Sequence, residues 1–516
     1  MALPEFRNEP LTDFSQEAHR KAITDTLDSV GRELGKEFPL IIGGERPRTD
    51  GKFTSWNPSL KTQAVAVCQK ATSRHVNQAV EVADHTFNTW SRVPAEERAA
   101  TLLRAADILR RRKFWAAAWQ IYEVGKNWAE ADADVAETID FIEYYTREAL
   151  RWARGHEMAP HPQEWSHLSY IPIGVIAVIP PWNFPLAIPA GMATAAIAAG
   201  NTVVMKPSSD SPANAYVLHE VLHAAGLPDG VFNLITGSGG DVGDPLVLHP
   251  RVRMVAFTGS KEVGIRIYGQ AAQVQPGQIW LKRTIAEMGG KNAIIVDESA
   301  DLDDAVNAAV ASGYGFQGQK CSAGSRLVVH ERRYRDAVDA FAEKVRALKV
   351  GPAKDDFPVG PVINGRAQQG IMEYVNIGKR EGRLIAGGEP GDDEGFFIQP
   401  TAFADVDPRA RIAQEEIFGP VVAVIKARDF DHALEIANDT EFGLTGSVFS
   451  KNAEHVARAR AEFLCGNLYI NRKSTGALVG VHPFGGFNMS GTDAKAGGPD
   501  YLGYFLQPKV VAIKHR

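Results

Sequence analysis

Cys321 stands in the run Gly315-Phe316-Gln317-Gly318-Gln319-Lys320-Cys321-Ser322-Ala323, where small and polar residues surround one thiol. A thiol attacks as its thiolate, and a free one is only about a few per cent ionised at neutral pH, so a nucleophilic role needs a neighbour that favours the anion. Lys320 is adjacent in sequence, the glycines let backbone N–H groups come close to a bound group, and Ser322 adds a small donor. The competing reading is a cysteine used as a small apolar core residue. Cys68, in Val-Ala-Val-Cys-Gln, and Cys465, in Phe-Leu-Cys-Gly-Asn, are both read that way, in strand-like apolar surroundings. A second group of residues has the types that hold a dinucleotide. Lys206 can donate to ribose hydroxyls, the loop from Gly237 to Gly243 is rich in glycine, and Gly259-Ser260 opens a helix whose N-terminus can take a phosphate. The glycine spacing departs by one residue from G-x-G-x-x-G, so the combination carries the reading and the loop alone does not.

Those residues sit where a strand–turn–helix rhythm would put them. Val175–Ile179, Thr202–Met205, Val231–Ile235 and Met254–Phe257 read as strands, and helices are expected over 186–199, 211–225 and 261–271. Repeated βα units give a parallel, doubly wound α/β sheet, which binds ligands at the carboxyl ends of its strands. Pro180 to Asn183, Lys206 to Ser208, Thr236 to Gly239 and Thr258 to Ser260 all fall at such ends. A second α/β lobe begins near Met288, with helices expected over 301–315, 332–347 and 430–437 and strands over 326–329, 421–425, 447–449 and 467–470. Upstream, helices are expected from Ser73, after Pro94 and over 132–154; in the last, Glu137, Asp140 and Glu143 lie away from the apolar face and most of them should be solvated. Ile41-Ile42-Gly43-Gly44 looks like a short strand and turn, and 509–514 like a strand with little to pair to locally, hence an oligomer edge.

A chain of 516 residues exceeds one ordinary core, so two large lobes are expected. A net charge of −6 over that length gives no nucleic-acid footprint, and the longest basic run, Arg110-Arg111-Arg112-Lys113, reads as a solvated helix face. Three cysteines cannot build a disulfide framework and fit no zinc spacing; a reducing, cytoplasmic setting is expected, with no metal. The first residues resemble neither a secretory signal nor a transit peptide. Leu168 to Met205 lacks charge over a length that could span a bilayer, but five prolines interrupt it, so a strand, a turn and a core helix are expected and no membrane contact.

From about residue 40 the chain resembles the NAD(P)-dependent aldehyde dehydrogenases. The match runs in order through Pro181-Trp182-Asn183-Phe184-Pro185, Lys206-Pro207-Ser208, Phe257-Thr258-Gly259-Ser260 with Gly264, Glu287-Met288-Gly289-Gly290-Lys291-Asn292, Gly318-Gln319-Lys320-Cys321, Glu415 to Pro420 and Pro483 to Phe487. The resemblance implies that Cys321 attacks the aldehyde carbon and that the Asn183 amide and the Cys321 backbone N–H hold the oxyanion. Hydride passes to NAD, and Glu287 activates the water that cleaves the thioester. Glu287 follows strand-like Thr284–Ala286 and precedes two glycines, an unusual place for a solvated carboxylate. The cofactor would lie among Pro181, Trp182, Lys206, Ser208, Ser209, Gly237, Gly243 and Phe257. Gly259, Ser260 and Gly264 would take the phosphates, and Glu416 and Phe418 the nicotinamide end. Many NAD-using members carry an acidic residue where this chain has Ser209, so NADP is expected to be tolerated.

Within the family the likeness is closest to the branch that oxidises L-glutamate γ-semialdehyde, the open form of 1-pyrroline-5-carboxylate, in proline breakdown. It rests on Tyr122 to Trp128, Gly315 to Ala323 and Asn471 to Gly480. It implies that Ser322 and the N–H groups of Gly476 and Ala477 hold the α-carboxylate. Phe184 and Phe484 would sandwich the carbon chain, with Glu137 and Lys320 beside the pocket; Ala477 replaces a serine common in the family. The implied layout is a two-lobed α/β fold: a helical arm and NAD-binding domain over 1–287 with flap strands near 155–170, a catalytic domain over 288–490, and an oligomerisation segment over 491–516. A homo-oligomer is implied, with proline dehydrogenase as functional partner. Another semialdehyde or aliphatic aldehyde dehydrogenase, or a non-catalytic relative, is the alternative.

Overall fold

A computed structural model describes residues 3–514. Its first large sheet has five parallel strands in the order Arg283–Glu287, Val252–Thr258, Val175–Ile179, Thr202–Met205, Phe232–Leu234. Val175–Ile179 is buried on both faces, which is why its apolar run is continuous rather than alternating. The helix Ala187–Ala198 covers one face, built almost wholly of small and apolar residues; a Cβ at Gly191 would already press on the Phe141 ring. The expected short strand at Ile41-Ile42 is present as bridges to Leu234 and Glu45.

The second large sheet has seven strands, ordered Arg383–Ala386, Thr401–Ala404, Val421–Ala427, Gly324–His330, Asn292–Val296, Thr445–Phe449, Asn467–Ile470. Only the edge strand Arg383–Ala386 runs antiparallel. Leu168 to Met205 resolves into the end of one strand, a second strand, the helix and a third strand; among the described residues no helix is long and apolar enough to cross a membrane.

Several expectations are corrected. The strand Leu506–Lys514 has no local partner but pairs within the chain: its partner is the antiparallel strand Glu164–Pro172, more than three hundred residues earlier, a long-range match invisible to local patterning. Asp140 is buried, accepting from the Asn8 amide at 2.8 Å and the Glu9 N–H at 2.6 Å, because the chain's first residues lie across the helix Trp128–Trp152. The same arm engages the basic run, Arg110 meeting Glu9 and Lys113 meeting the Pro10 carbonyl and Asp132, so that run is not simply solvated. Cys465 is buried in a loop after the helix Ala453–Glu462, not in a strand, whereas Cys68 is in the strand Ala64–Gln69.

Glu123, in the helix Lys113–Val124, ties the helical arm to the first sheet. Its carboxylate accepts from the N–H groups of Ala213 and Asn214, the Asn214 amide and the Ser55 hydroxyl. The helix Pro212–Ala224 has no side-chain cap of its own, so a residue from another helix satisfies its first donors. Replacing Glu123 by alanine leaves four buried donors short of an acceptor. We expect a loss on the order of 2–4 kcal/mol, read as a lower apparent melting temperature; a melting curve matching the parent would contradict the cap.

Candidate active site

Register aligns the chemistry along one edge of the first sheet. Glu287 stands opposite Thr258, Ile179 opposite Phe257, and Val178 opposite Met205, so Glu287, Gly259-Ser260, Pro181 to Asn183 and Lys206 all leave the sheet at carboxyl ends. The second sheet meets that edge from its amino ends, since Cys321 precedes the strand Gly324–His330 and Asn292 opens the strand beside it.

Between the lobes runs a cleft of about 990 Å³. Pro181, Trp182, Asn183, Lys206, Ser208, Gly243, Phe257, Gly259, Ser260, Cys321, Glu416 and Phe418 line it. Ser260 caps the helix Lys261–Ala271, leaving the helix's first N–H groups and positive end toward the cleft. A Cβ on Gly259 would strike the Phe257 ring at 2.6 Å and one on Gly264 the Met288 sulfur at 2.4 Å, so these glycines keep helix, strand and cleft wall in close approach. The Trp182 and Phe418 rings meet edge to face, 5.5 Å apart, in the cleft wall. An anion-receiving helix end, an apolar wall and a buried carboxylate along one trough fit a dinucleotide. Ser209, Gly237 and Gly264 do not line the cleft; Ser209 turns its hydroxyl to the Gly237 carbonyl at 3.3 Å. Lys206 is buried on the carbonyls of Pro207 and Gly237, and desolvation pulls its amine down to about 8 against the nearby Asp210 carboxylate. Asn364, Arg366 and Tyr374, from the stretch that sequence patterning left unassigned, supply the opposite wall.

The loop that carries Cys321 is locked from several sides. Phe316, Gln317 and Gly318 are successive left-handed residues (φ 48°, 56° and 67°), and a Cβ at Gly318 would lie 2.3 Å from the Gly419 carbonyl oxygen, which accounts for the glycine. Asn292, within a matched block but given no role from sequence, donates from Nδ2 to the Cys321 and Ala323 carbonyls at 2.7 and 2.8 Å and accepts from the Thr445 N–H at 2.9 Å. The Asn183 amide donates to the Gln319 carbonyl at 3.0 Å, which places it beside the loop with a second N–H to offer. Lys320 does not serve the thiol: its ammonium is 2.6 Å from Glu130 Oε1. Burial, then Glu416 and Glu287, push the Cys321 thiol up to about 12, against the pull of local N–H groups.

Glu287 ends its strand beneath the segment after Ser490. The Thr492 N–H donates to Ala286 at 2.9 Å, and Gly485 and Gly491 leave just enough room for the carboxylate. Both its oxygens are buried without a donor at hydrogen-bond geometry, and burial pushes the group up to about 8, offset in part by the Ala494 amide and Lys495. Glu416 Oε1 accepts from the Gly290 N–H at 2.9 Å, and burial raises it to about 7.

On the far side of Cys321 the loop after Asn471 is stitched to the loop that carries Cys321, Ser474 Oγ donating to the Ser322 carbonyl at 3.2 Å. Arg472 holds the carbonyls of Thr475 and Gly476 from within, and among the described residues the N–H groups of Gly476 and Ala477 have no partner. Such paired free donors can take a carboxylate. Phe184 and Phe484 are half-buried, and Glu137 is raised to about 8 by burial and by Asp134, within the field of Lys126 and Lys320.

Residues 46–511 match the aldehyde dehydrogenase family. The chain is 57% identical over 508 residues to 1-pyrroline-5-carboxylate dehydrogenase of Geobacillus thermodenitrificans, covering 98% of this chain and 99% of that one. The structure superposes on 1-pyrroline-5-carboxylate dehydrogenase from Thermus with bound NAD at a TM-score of 0.98, 50% identity and full coverage of both chains. It also superposes on proline utilization A from Bdellovibrio bacteriovorus at a TM-score of 0.97 and 45% identity, over 99% of this chain and 53% of that one.

A carboxyl raised to about 8 is protonated below that pH and becomes a base above it. If Glu287 activates water, turnover limited by hydrolysis should climb as pH rises through that value and then level off. A kcat profile already flat from weakly acidic pH would contradict the assignment.

Proposed function

Since the chain belongs to the aldehyde dehydrogenase family, we propose that it oxidises L-glutamate γ-semialdehyde to L-glutamate with reduction of NAD, by way of Cys321. The observation that carries this reading is the position of one thiol between a dinucleotide-sized cleft and a loop with two unpaired backbone donors. A substrate bearing an aldehyde at one end and a carboxylate at the other fits that spacing of chemistry.

The sulfur bonds to the aldehyde carbon, the thiol proton leaves to solvent water, and the new alkoxide is held by the Asn183 amide and the Cys321 N–H. Bound NAD supplies the hydride acceptor, and Glu416, the Ser260 helix end, Lys206 and the Trp182–Phe418 pair would hold it. Loss of hydride leaves a thioester on Cys321. Glu287 takes a proton from water, the hydroxyl bonds to the carbonyl carbon, and the C–S bond breaks to return the sulfur. Meanwhile the Gly476 and Ala477 N–H groups and Ser322 hold the carboxylate, and Phe184 and Phe484 flank the chain.

The surroundings of the reaction belong to the same reading. Strand Leu506–Lys514 uses one edge on Glu164–Pro172 and exposes Val510, Val511 and Ile513, which suits pairing between copies in a homo-oligomer. A cytoplasmic location agrees with three free thiols. The aldehyde has to come from an enzyme that oxidises proline, and the likeness to half of a proline utilization protein supports proline dehydrogenase as the functional partner.

Glu287→Gln keeps size and removes basicity. Mixed with semialdehyde and excess NAD it should give a burst of NADH, very slow turnover, and an acyl adduct on Cys321 by intact mass. Normal steady-state turnover would remove Glu287 from the mechanism. Absence of NADH formation from the semialdehyde in the parent protein would overturn the function.

A further inference from the structure

The stretch Tyr122 to Trp128 contributes a buried charge that the chemistry above leaves unused. Lys126 is wholly buried and its ammonium donates to Asp134 Oδ2 at 2.6 Å, Asp134 being equally sealed. The other oxygen of Asp134 accepts from the N–H of Ala187 at 2.8 Å, the first residue of the helix that follows Asn183-Phe184-Pro185. The same ammonium lies 4.1 Å from the centroid of the Phe184 ring and 5.0 Å from that of Phe316. One charge thus touches the ring that flanks the substrate chain, the start of the helix behind it, and the first left-handed residue of the nucleophile's loop.

An ion pair buried this deeply adds little stability over an apolar pair of the same volume, because both charges lose their hydration. What it does add is placement. A desolvated ammonium attracts the face of an aromatic ring, which resists tilting of the ring away from it. Phe184 matters most for a substrate long enough to lie along it; a short neutral aldehyde reaches Cys321 without that wall.

We propose that Lys126, locked by Asp134, is a positioning residue that fixes the Phe184 ring and thereby sets the preference for the amino-acid semialdehyde over short aldehydes. The inference rests on the substrate reading above. The test compares the parent with the pair Lys126→Met and Asp134→Asn, in which the asparagine oxygen still accepts from Ala187 while both charges are gone. The kcat/KM for the semialdehyde should fall roughly tenfold or more, mainly through KM, while that for propanal moves by no more than about threefold. The KM for NAD should stay near the parent value, and Lys126→Arg, which keeps a cation at the ring, should retain most of the preference. Should the methionine pair not accumulate as folded protein, Lys126→Gln with Asp134→Asn keeps a hydrogen bond there without charge and is expected to show the same selective loss. Equal losses for both aldehydes, or an unchanged ratio, would overturn the proposal. A parent enzyme that does not prefer the semialdehyde to propanal would overturn the substrate reading instead.

Discussion

A thiol held between two buried carboxylates is the constraint on which the rest of this structure depends. Cys321 lies in the field of Glu416 and Glu287; Lys320, its neighbour in sequence, is engaged by Glu130, and Lys291 and Lys495 offset the two carboxyls only in part. Low dielectric and like-signed neighbours both disfavour a new negative charge. Sulfur and carboxylate therefore rest in their neutral, protonated forms, and reactivity waits on groups that bring charge or hydrogen bonds into the site. The same conditions make later steps effective, since preorganised donors such as the Asn183 amide act most strongly where water is excluded.

Such a site needs two lobes in fixed register. The first sheet delivers Lys206, the Pro181–Asn183 turn, Ser260 and Glu287 from the carboxyl ends of parallel strands; the second delivers Cys321 and Asn292 from amino ends. Neither edge alone carries both the glycine-lined cleft wall and Cys321. Buried polar links hold the parts in line: Asn183 to Gln319 across the lobes, Asn292 across the nucleophile's loop, Glu123 from the arm onto the first sheet. Each is wholly or partly enclosed, so each is costly to break and helps specify one arrangement.

How much of this was legible in the sequence follows from the range over which each signal acts. The strands Val175–Ile179 and Thr202–Met205 have the expected limits, because a strand buried on both faces writes itself as a local apolar run. Type, context and ordered blocks singled out Cys321, Glu287 and Asn183, which the fold brings to one end of the cleft region. Pairings across hundreds of residues were not: the partner of Leu506–Lys514, the arm that buries Asp140, and the ion pair that takes Lys320 from the thiol depend on tertiary contacts that local pattern does not encode. The wall made by Asn364, Arg366 and Tyr374 was missed although Ile371, Val375 and Gly378 of its helix Gly365–Glu381 repeat at helical spacing, because nothing local ties that helix to the cleft.

The central claim, that the site keeps its thiol neutral until its ligands arrive, is tested most directly by the rate at which iodoacetamide labels Cys321 in cofactor-free protein as pH is raised. Peptide mass analysis would separate that label from Cys68 and Cys465. The structure predicts slow labelling at neutral pH, an increase only well into the alkaline range, and a shift of the whole profile to lower pH in Glu416→Gln. Rapid labelling of Cys321 at neutral pH, unmoved by Glu416→Gln, would show a thiolate already formed and would contradict the account.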